Sequence, residues 1–260
     1  MNIINLTPEN EALFFVCLED WSEEMKEAGS HKKEWYAKMK DKGLRVKLAQ
    51  DDQGIICGMI QYLPIQYSFA KGDDLYIILC IWVHGHKQGI GDYRKQGFGK
   101  ALLAAAEEDV RELGSKGLAA WGLIIPAFMQ ASWFKKQGYI KADRRGINML
   151  LWKPFDSDAK PPKMIAPQKK VSKVSGQVTI SAFKFGWCPA SNLAFERAKR
   201  ASKSLGDQVK FIEYDTTNED VFKEWGIRDA LFVDDKEINT GPPPSYDKLY
   251  SLIAKRVNKL

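Results

Sequence analysis

The stretch Arg94-Lys95-Gln96-Gly97-Phe98-Gly99 decides how this chain is read. It follows an apolar run, Leu75–Val83, and opens a segment in which Phe98, Leu102, Ala106, Val110 and Leu113 recur every three or four residues up to Gly114. A strand therefore leads through a glycine-bearing loop into an amphipathic helix. Glycines at 97 and 99 let the backbone approach a ligand closely. The first N–H groups of a helix have no internal acceptor, and the helix dipole favours an anion beside them. Arg94 and Lys100 add positive charge, so a pyrophosphate suits this loop. A loop that merely turns the chain is the competing reading of the same six residues. A P-loop would need Gly at 94 and Ser or Thr at 101, where the chain has Arg94 and Ala101. A dinucleotide fingerprint starting at Gly89 would also need Gly at 94.

Working outward, Ile3–Leu6 is a short apolar run, and Thr7-Pro8 starts a helix expected to reach about Glu27. A second helix, His31–Lys42, ends at Gly43. Leu44–Ala49 and Ile55–Pro64 flank the turn Asp51-Asp52-Gln53-Gly54 and read as a hairpin. Leu75–Val83 is apolar at nearly every position, the pattern of a strand buried on both faces. Beyond the central helix come a strand Gly117–Ile125, a helix Met129–Lys136 and a strand Asn148–Trp152. These elements make an α/β domain over 1–153, a mixed sheet with helices against it.

Composition breaks once. Residues 154–176 hold four of the eleven prolines and five lysines, and read as an extended connector. Residues 177–260 form a smaller second domain. It has strands at Val178–Phe183 and Val209–Tyr214, a hairpin of Asp229–Val233 with Lys236–Asn239, and helices at Ser191–Leu205, Asn218–Trp225 and Ser245–Val257, in the order βαβαββα. Lys and Arg number 39 against 33 Asp and Glu, and half of the +6 excess falls in the connector, which does not point to nucleic acid. The four cysteines are scattered, a pattern of reduced thiols. The longest apolar run is far short of the roughly 20 residues a bilayer span needs, and no signal peptide is visible. A cytoplasmic protein without membrane contact is expected.

The hexad matches the R/Q-x-x-G-x-G/A signature of the GNAT acetyltransferases, and Ala131-Ser132-Trp133-Phe134-Lys135-Lys136-Gln137-Gly138-Tyr139 resembles a second segment of that family. The resemblance covers about 1–153. It implies acetyl-CoA as co-substrate and direct transfer of acetyl to an amine of a small molecule or peptide. It also implies that Arg94, Lys95, Gln96, Gly97, Phe98, Gly99 and Lys100 receive the pyrophosphate, and that Ile81, Trp82 and Val83 pair with the pantetheine arm. Trp21, Trp35, Tyr36, Tyr62, Tyr67 and Phe69 lie in regions that often line the family's acceptor site. Two positions depart from the pattern: Phe134 stands where a Tyr often acts as general acid, and Ala127 where an Asn is common.

With that Tyr replaced, proton transfer needs another group. Acetyl transfer uses a neutral amine, and an alkylamine is mostly protonated at neutral pH. His84 and His86, just past the Leu75–Val83 strand, are candidates by place and by ordinary titration range, and Asp92 is the third. Loop residues without a chemical role are the alternative. Cys80, His84 and His86 have loose metal-ligand spacing, but a packed core thiol suits Cys80 better and no metal is expected. In the second domain, Trp187-Cys188-Pro189-Ala190-Ser191 joins a strand to a helix and resembles a thioredoxin-like site with its second sulfur missing. Cys188 is therefore a candidate for monothiol redox chemistry, or an inert thiol. The tandem arrangement resembles the YoaP-like acetyltransferases. An acyl-CoA-binding sensor without turnover and a monothiol redox module are the rival functions.

Overall fold

The computed structural model describes residues 1–126 and 128–260, so Ala127 lies outside the described residues. The chain forms two compact units. The first comprises Met1–Trp21 with Met39–Ile165, and the second Ser22–Lys38 with Ala166–Leu260. Residues 22–38, early in the sequence, thus pack with the late part of the chain.

The chain begins with β1 (Asn2–Asn5), α1 (Glu11–Phe15), α2 (Glu23–Lys26) and α3 (His31–Met39). The single helix expected from Thr7 to Glu27 is broken. Cys17 and Leu18 sit at φ 52° and 66°, a left-handed conformation that ends α1. The first unit continues with β2 (Arg45–Gln50), β3 (Ile56–Pro64), β4 (Ala70–Lys71), β5 (Leu75–Val83), α4 (Phe98–Glu112), β6 (Gly117–Leu123) and α5 (Ala131–Lys136). It closes with β7 (Ile140–Arg145), β8 (Asn148–Pro154) and β9 (Lys163–Met164). A seven-stranded sheet runs in the order β1-β2-β3-β5-β6-β8-β7. Among the described residues only β5 and β6 pair in parallel within this sheet, so it is mixed. β7 escaped the sequence reading because its residues, IKADRR, are largely exposed and carry almost no apolar alternation.

The parallel pairing matters most. It joins Leu75–Ile78 to Gly117–Ala120 and goes no further among the described residues, although β5 runs to Val83 and β6 to Leu123. The register of β5 against β3 shifts at this level: Tyr62 faces Ile78 and Gln61 faces Cys80, leaving Leu79 as an extra residue. Such a bulge re-aims the strand beyond it. Trp121 on β6 donates its indole N–H to the Leu79 carbonyl at 2.8 Å, satisfying that group where the ladder stops.

Helix α4 covers one face of this sheet. Phe98, Leu102, Leu103, Ala106 and Val110 pack with Ile60, Tyr62, Ile78, Leu118 and Leu151. A carboxylate pins the helix as well: Asp109 accepts from Arg45 Nε at 2.8 Å and Tyr62 Oη at 2.7 Å, and pairs with Lys47 at 2.9 Å.

In the second unit, β10 (Val178–Lys184), α6 (Pro189–Leu205), β11 (Val209–Asp215), α7 (Glu219–Trp225), β12 (Ala230–Val233), β13 (Lys236–Ile238) and α8 (Tyr246–Val257) follow the order βαβαββα. The sheet order is β11-β10-β12-β13, with β10 parallel to β11 and antiparallel to β12. Trp35 of α3 is buried edge-on against Phe185, 5.9 Å between centroids. Gly186 sits at φ 91°, and a Cβ there would come within 3.0 Å of the His31 carbonyl oxygen. Among the described residues no helix is long and apolar enough to cross a membrane.

Candidate active site

The end of β5 and the start of α4 build the site. Ile81, Trp82 and Val83 are half-buried at the part of β5 that has left β6. Each backbone there keeps polar groups directed along the sheet plane, and among the described residues no strand on the β6 side pairs with them. The loop returns to the helix through Lys95 at φ 63° and Gly97 at φ 95°, both left-handed. Gly97 is the N-cap of α4, and its carbonyl accepts from Lys100 N at 3.0 Å and Ala101 N at 3.1 Å. The amides of Phe98 and Gly99, the first two of the helix, have no acceptor within it. A methyl group at Gly99 would meet only Trp133 and Val83, at 3.5 and 3.8 Å, so packing within the chain does not require glycine there.

Arg94 is engaged. Its guanidinium meets the Asp92 carboxylate through Nε at 2.8 Å and Nη2 at 2.5 Å, and the Arg94 amide donates to the same carboxylate at 3.0 Å. The Arg94 side-chain hydrogen bonds hold Asp92 well below the usual carboxylate range. At neutral pH Asp92 is a fixed anion that shapes Arg94, with little basicity to offer a substrate. Gln96 Nε2 closes the loop on the Asp92 carbonyl at 3.2 Å.

His84 and His86 part company. His84 is fully buried, and its Nε2 lies 3.0 Å from the Trp21 indole nitrogen. An indole N–H only donates, so Nε2 is the unprotonated nitrogen. Nδ1 therefore carries the hydrogen and donates to the Gly91 carbonyl at 2.6 Å. Its backbone donates to Cys57 O at 2.8 Å and accepts from Tyr93 N at 2.9 Å. Neutral and committed at both ring nitrogens, His84 folds the 84–93 loop. His86 is partly exposed, with Nε2 3.3 Å from Glu19 Oε1. Its ring touches Trp21 at 5.5 Å and Trp82 at 5.9 Å, and Phe128 extends the row of rings from Trp82 at 5.9 Å to Trp121 at 6.2 Å. Trp21 also lies on Gly89, where a Cβ would come within 2.2 Å of the indole.

Several residues named from the sequence stand apart from this group. Tyr62 is buried and bonded to Asp109, Trp35 belongs to the second unit, and Phe134 is buried in the core against Trp133 and Tyr139. Glu19 was missed, because nothing local marks it: its partner His86 lies 67 positions on. Cys188, in the second unit, is the half-buried N-cap of α6 with Pro189 following. Near it, burial pushes the Asp229 carboxyl up to about 7, against hydrogen bonds from Ser191 and Trp187. Asp229 too was missed, since only the fold brings it to the start of α6. Among the described residues no cluster of three or more His, Cys, Asp or Glu is arranged to hold a metal ion.

The chain is similar to several solved structures. PaiA N-acetyltransferase from Thermoplasma acidophilum, in complex with coenzyme A, is 19% identical over 60% of this chain and 100% of its own, with a TM-score of 0.43. YhbS, a GNAT family N-acetyltransferase from Escherichia coli in complex with CoA, is 13% identical over 63% of this chain and 88% of its own, with a TM-score of 0.44. A GNAT family acetyltransferase from Brucella melitensis in complex with acetyl-CoA is 16% identical over 61% and 90%, with a TM-score of 0.40. No curated protein matches the chain. The family model described as the acetyltransferase (GNAT) family matches residues 7–139, just over half of the chain, in the region that holds the strand end, the Gly97 loop and α4. On that match the chain belongs to the GNAT acetyltransferase family.

Proposed function

We propose that the first unit transfers acetyl from acetyl-CoA directly to an amine of a small molecule or peptide. One observation carries the reading: β5 leaves β6 at the same end of the sheet where Gly97 opens the N-terminus of α4. The donor set suits the co-substrate. The Phe98 and Gly99 amides, with Arg94, Lys95 and Lys100, offer hydrogen bonds and charge to a diphosphate, and Gln96 holds the loop's shape. The backbone of Ile81, Trp82 and Val83 offers strand-like hydrogen bonds to an amide-containing arm.

In the reaction the amine nitrogen bonds to the thioester carbonyl carbon, the carbon–sulfur bond breaks, and CoA leaves as the thiol after taking a proton. Backbone N–H groups at the end of β5 stabilise the developing oxyanion. His86 is the residue we assign to remove the amine proton, directly or through water, with Glu19 Oε1 3.3 Å from its Nε2 to orient the ring. His84 positions the loop, and Asp92 positions Arg94.

Two further readings have an observation each. Phe134 has no hydroxyl, which suits a sensor that binds acyl-CoA without turnover. Cys188 at the start of α6 suits a thioredoxin-like second domain with monothiol exchange. Calorimetric titration with acetyl-CoA and release of free thiol across a panel of amines separates these. Acetyl-CoA binding that is lost in Gly97→Val, together with amine-dependent thiol release, is the expected result. Binding without release for every amine favours the sensor, and a glutathione adduct at Cys188 favours the redox module.

A further inference from the structure

Of the eight large apolar side chains exposed among the described residues, four stand together in the first unit: Ile124, Ile125, Phe128 and Ile147. The two isoleucines follow β6, Phe128 lies in the loop before α5, and Ile147 is in the turn between β7 and β8. The Ile124 amide donates to the Ile147 carbonyl at 3.0 Å, which joins the two loops into one surface. A lone exposed apolar residue needs no explanation, but a cluster marks a binding surface.

This patch runs into the proposed site. Phe128 touches the rings of Trp82 and Trp121, Trp82 touches His86 at 5.9 Å, and His86 touches Trp21 at 5.5 Å. The neighbours of Trp82 on β5, Ile81 and Val83, pack into the core beneath α4, so the Trp82 side chain lies on the opposite face of the sheet. The row of rings thus begins at the residue assigned to take the amine proton and ends on an exposed apolar surface. Its two ends suit two parts of one molecule. An alkylamine arrives protonated, and the faces of tryptophan rings attract an ammonium. Glu19 adds a carboxylate at that end, 3.3 Å from His86. At the far end the charge is positive: Arg144 donates from Nε to the Gly146 carbonyl at 2.8 Å, one residue from Ile147. The carboxylate on that strand, Asp143, already accepts from the Arg144 and Met164 amides. A second ammonium on the substrate therefore meets a guanidinium before an open anion.

We propose that the acceptor is a primary amine carried on an aromatic or branched aliphatic body with no second positive charge. Its ammonium enters among the rings of Trp21, Trp82 and His86, and its body lies on Phe128 and the isoleucines beyond it. The proposal names the acceptor class for the proposed acetyl transfer and rests on that reading.

The test uses the full chain, with 3-methylbutylamine and 2-phenylethylamine as bodied amines, ethylamine as the amine without a body, and spermidine as a polycation. Steady-state kcat/KM should be higher for the bodied amines than for ethylamine by about tenfold or more, and spermidine should fall below them. In Phe128→Ala and in Ile125→Ser the ratio of 3-methylbutylamine to ethylamine should drop to within about threefold. Equal kcat/KM for all primary amines, a preference for spermidine, or a ratio unmoved in both variants would overturn the proposal. So would a dimer in sedimentation velocity that both variants dissociate while the ratio stays, since a second copy of the chain then covers the patch. If Phe128→Ala does not fold, Ile125→Ser is judged alone. If the parent acetylates no amine, saturation-transfer NMR of the same amines decides. Binding of 3-methylbutylamine over ethylamine that is lost in the variants upholds the site while the acetyl-transfer reading falls, and equal or absent binding overturns the site as well.

Discussion

Arg94 and Asp92 face each other at the mouth of the proposed pyrophosphate site, and their substitutions should act in opposite directions. Removing the guanidinium in Arg94→Ala takes away a charge-assisted contact and should weaken acetyl-CoA binding, on the order of tenfold. Asp92→Asn removes a fixed anion beside a diphosphate and releases Arg94, so binding should tighten. Calorimetry on both variants checks the pair, and equal weakening would contradict the arrangement. Trp21 is the second residue to test. Phe at 21 keeps the ring and removes the N–H, leaving His84 Nε2 buried without a donor, a cost of about 1–3 kcal/mol. Trp21→Phe should therefore lower stability and turnover while acetyl-CoA affinity is kept, as urea denaturation and initial rates will measure. The loop glycines were readable from spacing alone. The Trp21–His84 bond was not, because its partners are 63 positions apart.

At the scale of elements, helix α4 is held by its apolar face and by Asp109. Burial pushes this carboxyl up, but the hydrogen bonds from Arg45, Tyr62 and Lys47 outweigh burial and hold it at about 2. A carboxyl depressed in the folded state stabilises fully above its unfolded value near 3.9, and that stability is lost as pH falls through about 2. The contribution at neutral pH is between about 2 and 3 kcal/mol by the same linkage. Asp109→Asn should lower the urea midpoint at pH 7, with the difference from the parent shrinking below pH 3. Acetyl-CoA affinity should fall too, since the helix whose N-terminus receives the diphosphate is less firmly placed. The amphipathic period of α4 was plain in the sequence; its anionic anchor was not, because an Asp on a helix reads as solvent-facing until the sheet brings Arg45, Lys47 and Tyr62 against it. The break at Cys17 and Leu18 was likewise invisible, as neither residue type marks a left-handed turn.

Across the whole molecule, the two units should respond differently to pH and to loss of the thiol. Asp229 is raised to about 7 by burial, so the folded second unit favours its protonated form. The stability tied to that proton is full below the unfolded value near 3.9 and is lost as pH rises through about 7. Hydrogen exchange in 177–260 should therefore quicken between pH 5 and pH 8 beyond the intrinsic base catalysis, and Asp229→Asn should flatten the excess. Cys188→Ser should retain acetyl transfer, because the proposed chemistry uses only first-unit residues. A variant that binds acetyl-CoA normally but has lost turnover would place the thiol in the reaction.

The sequence by itself determined the α/β character of both parts, the helix with its glycine loop and the order βαβαββα, because each rests on local spacing of apolar residues and on glycine and proline, whose effects do not wait for the fold. Tertiary structure alone decided where β5 parts from β6, which histidine is committed and which is accessible, and that 22–38 belongs with the second unit. Each of these depends on partners distant in sequence: a register shift between β3 and β5, an indole opposite an imidazole, and a buried Arg197 reaching back to Glu24 and Glu27. Periodicity specifies which side of an element is buried, and only packing specifies against what.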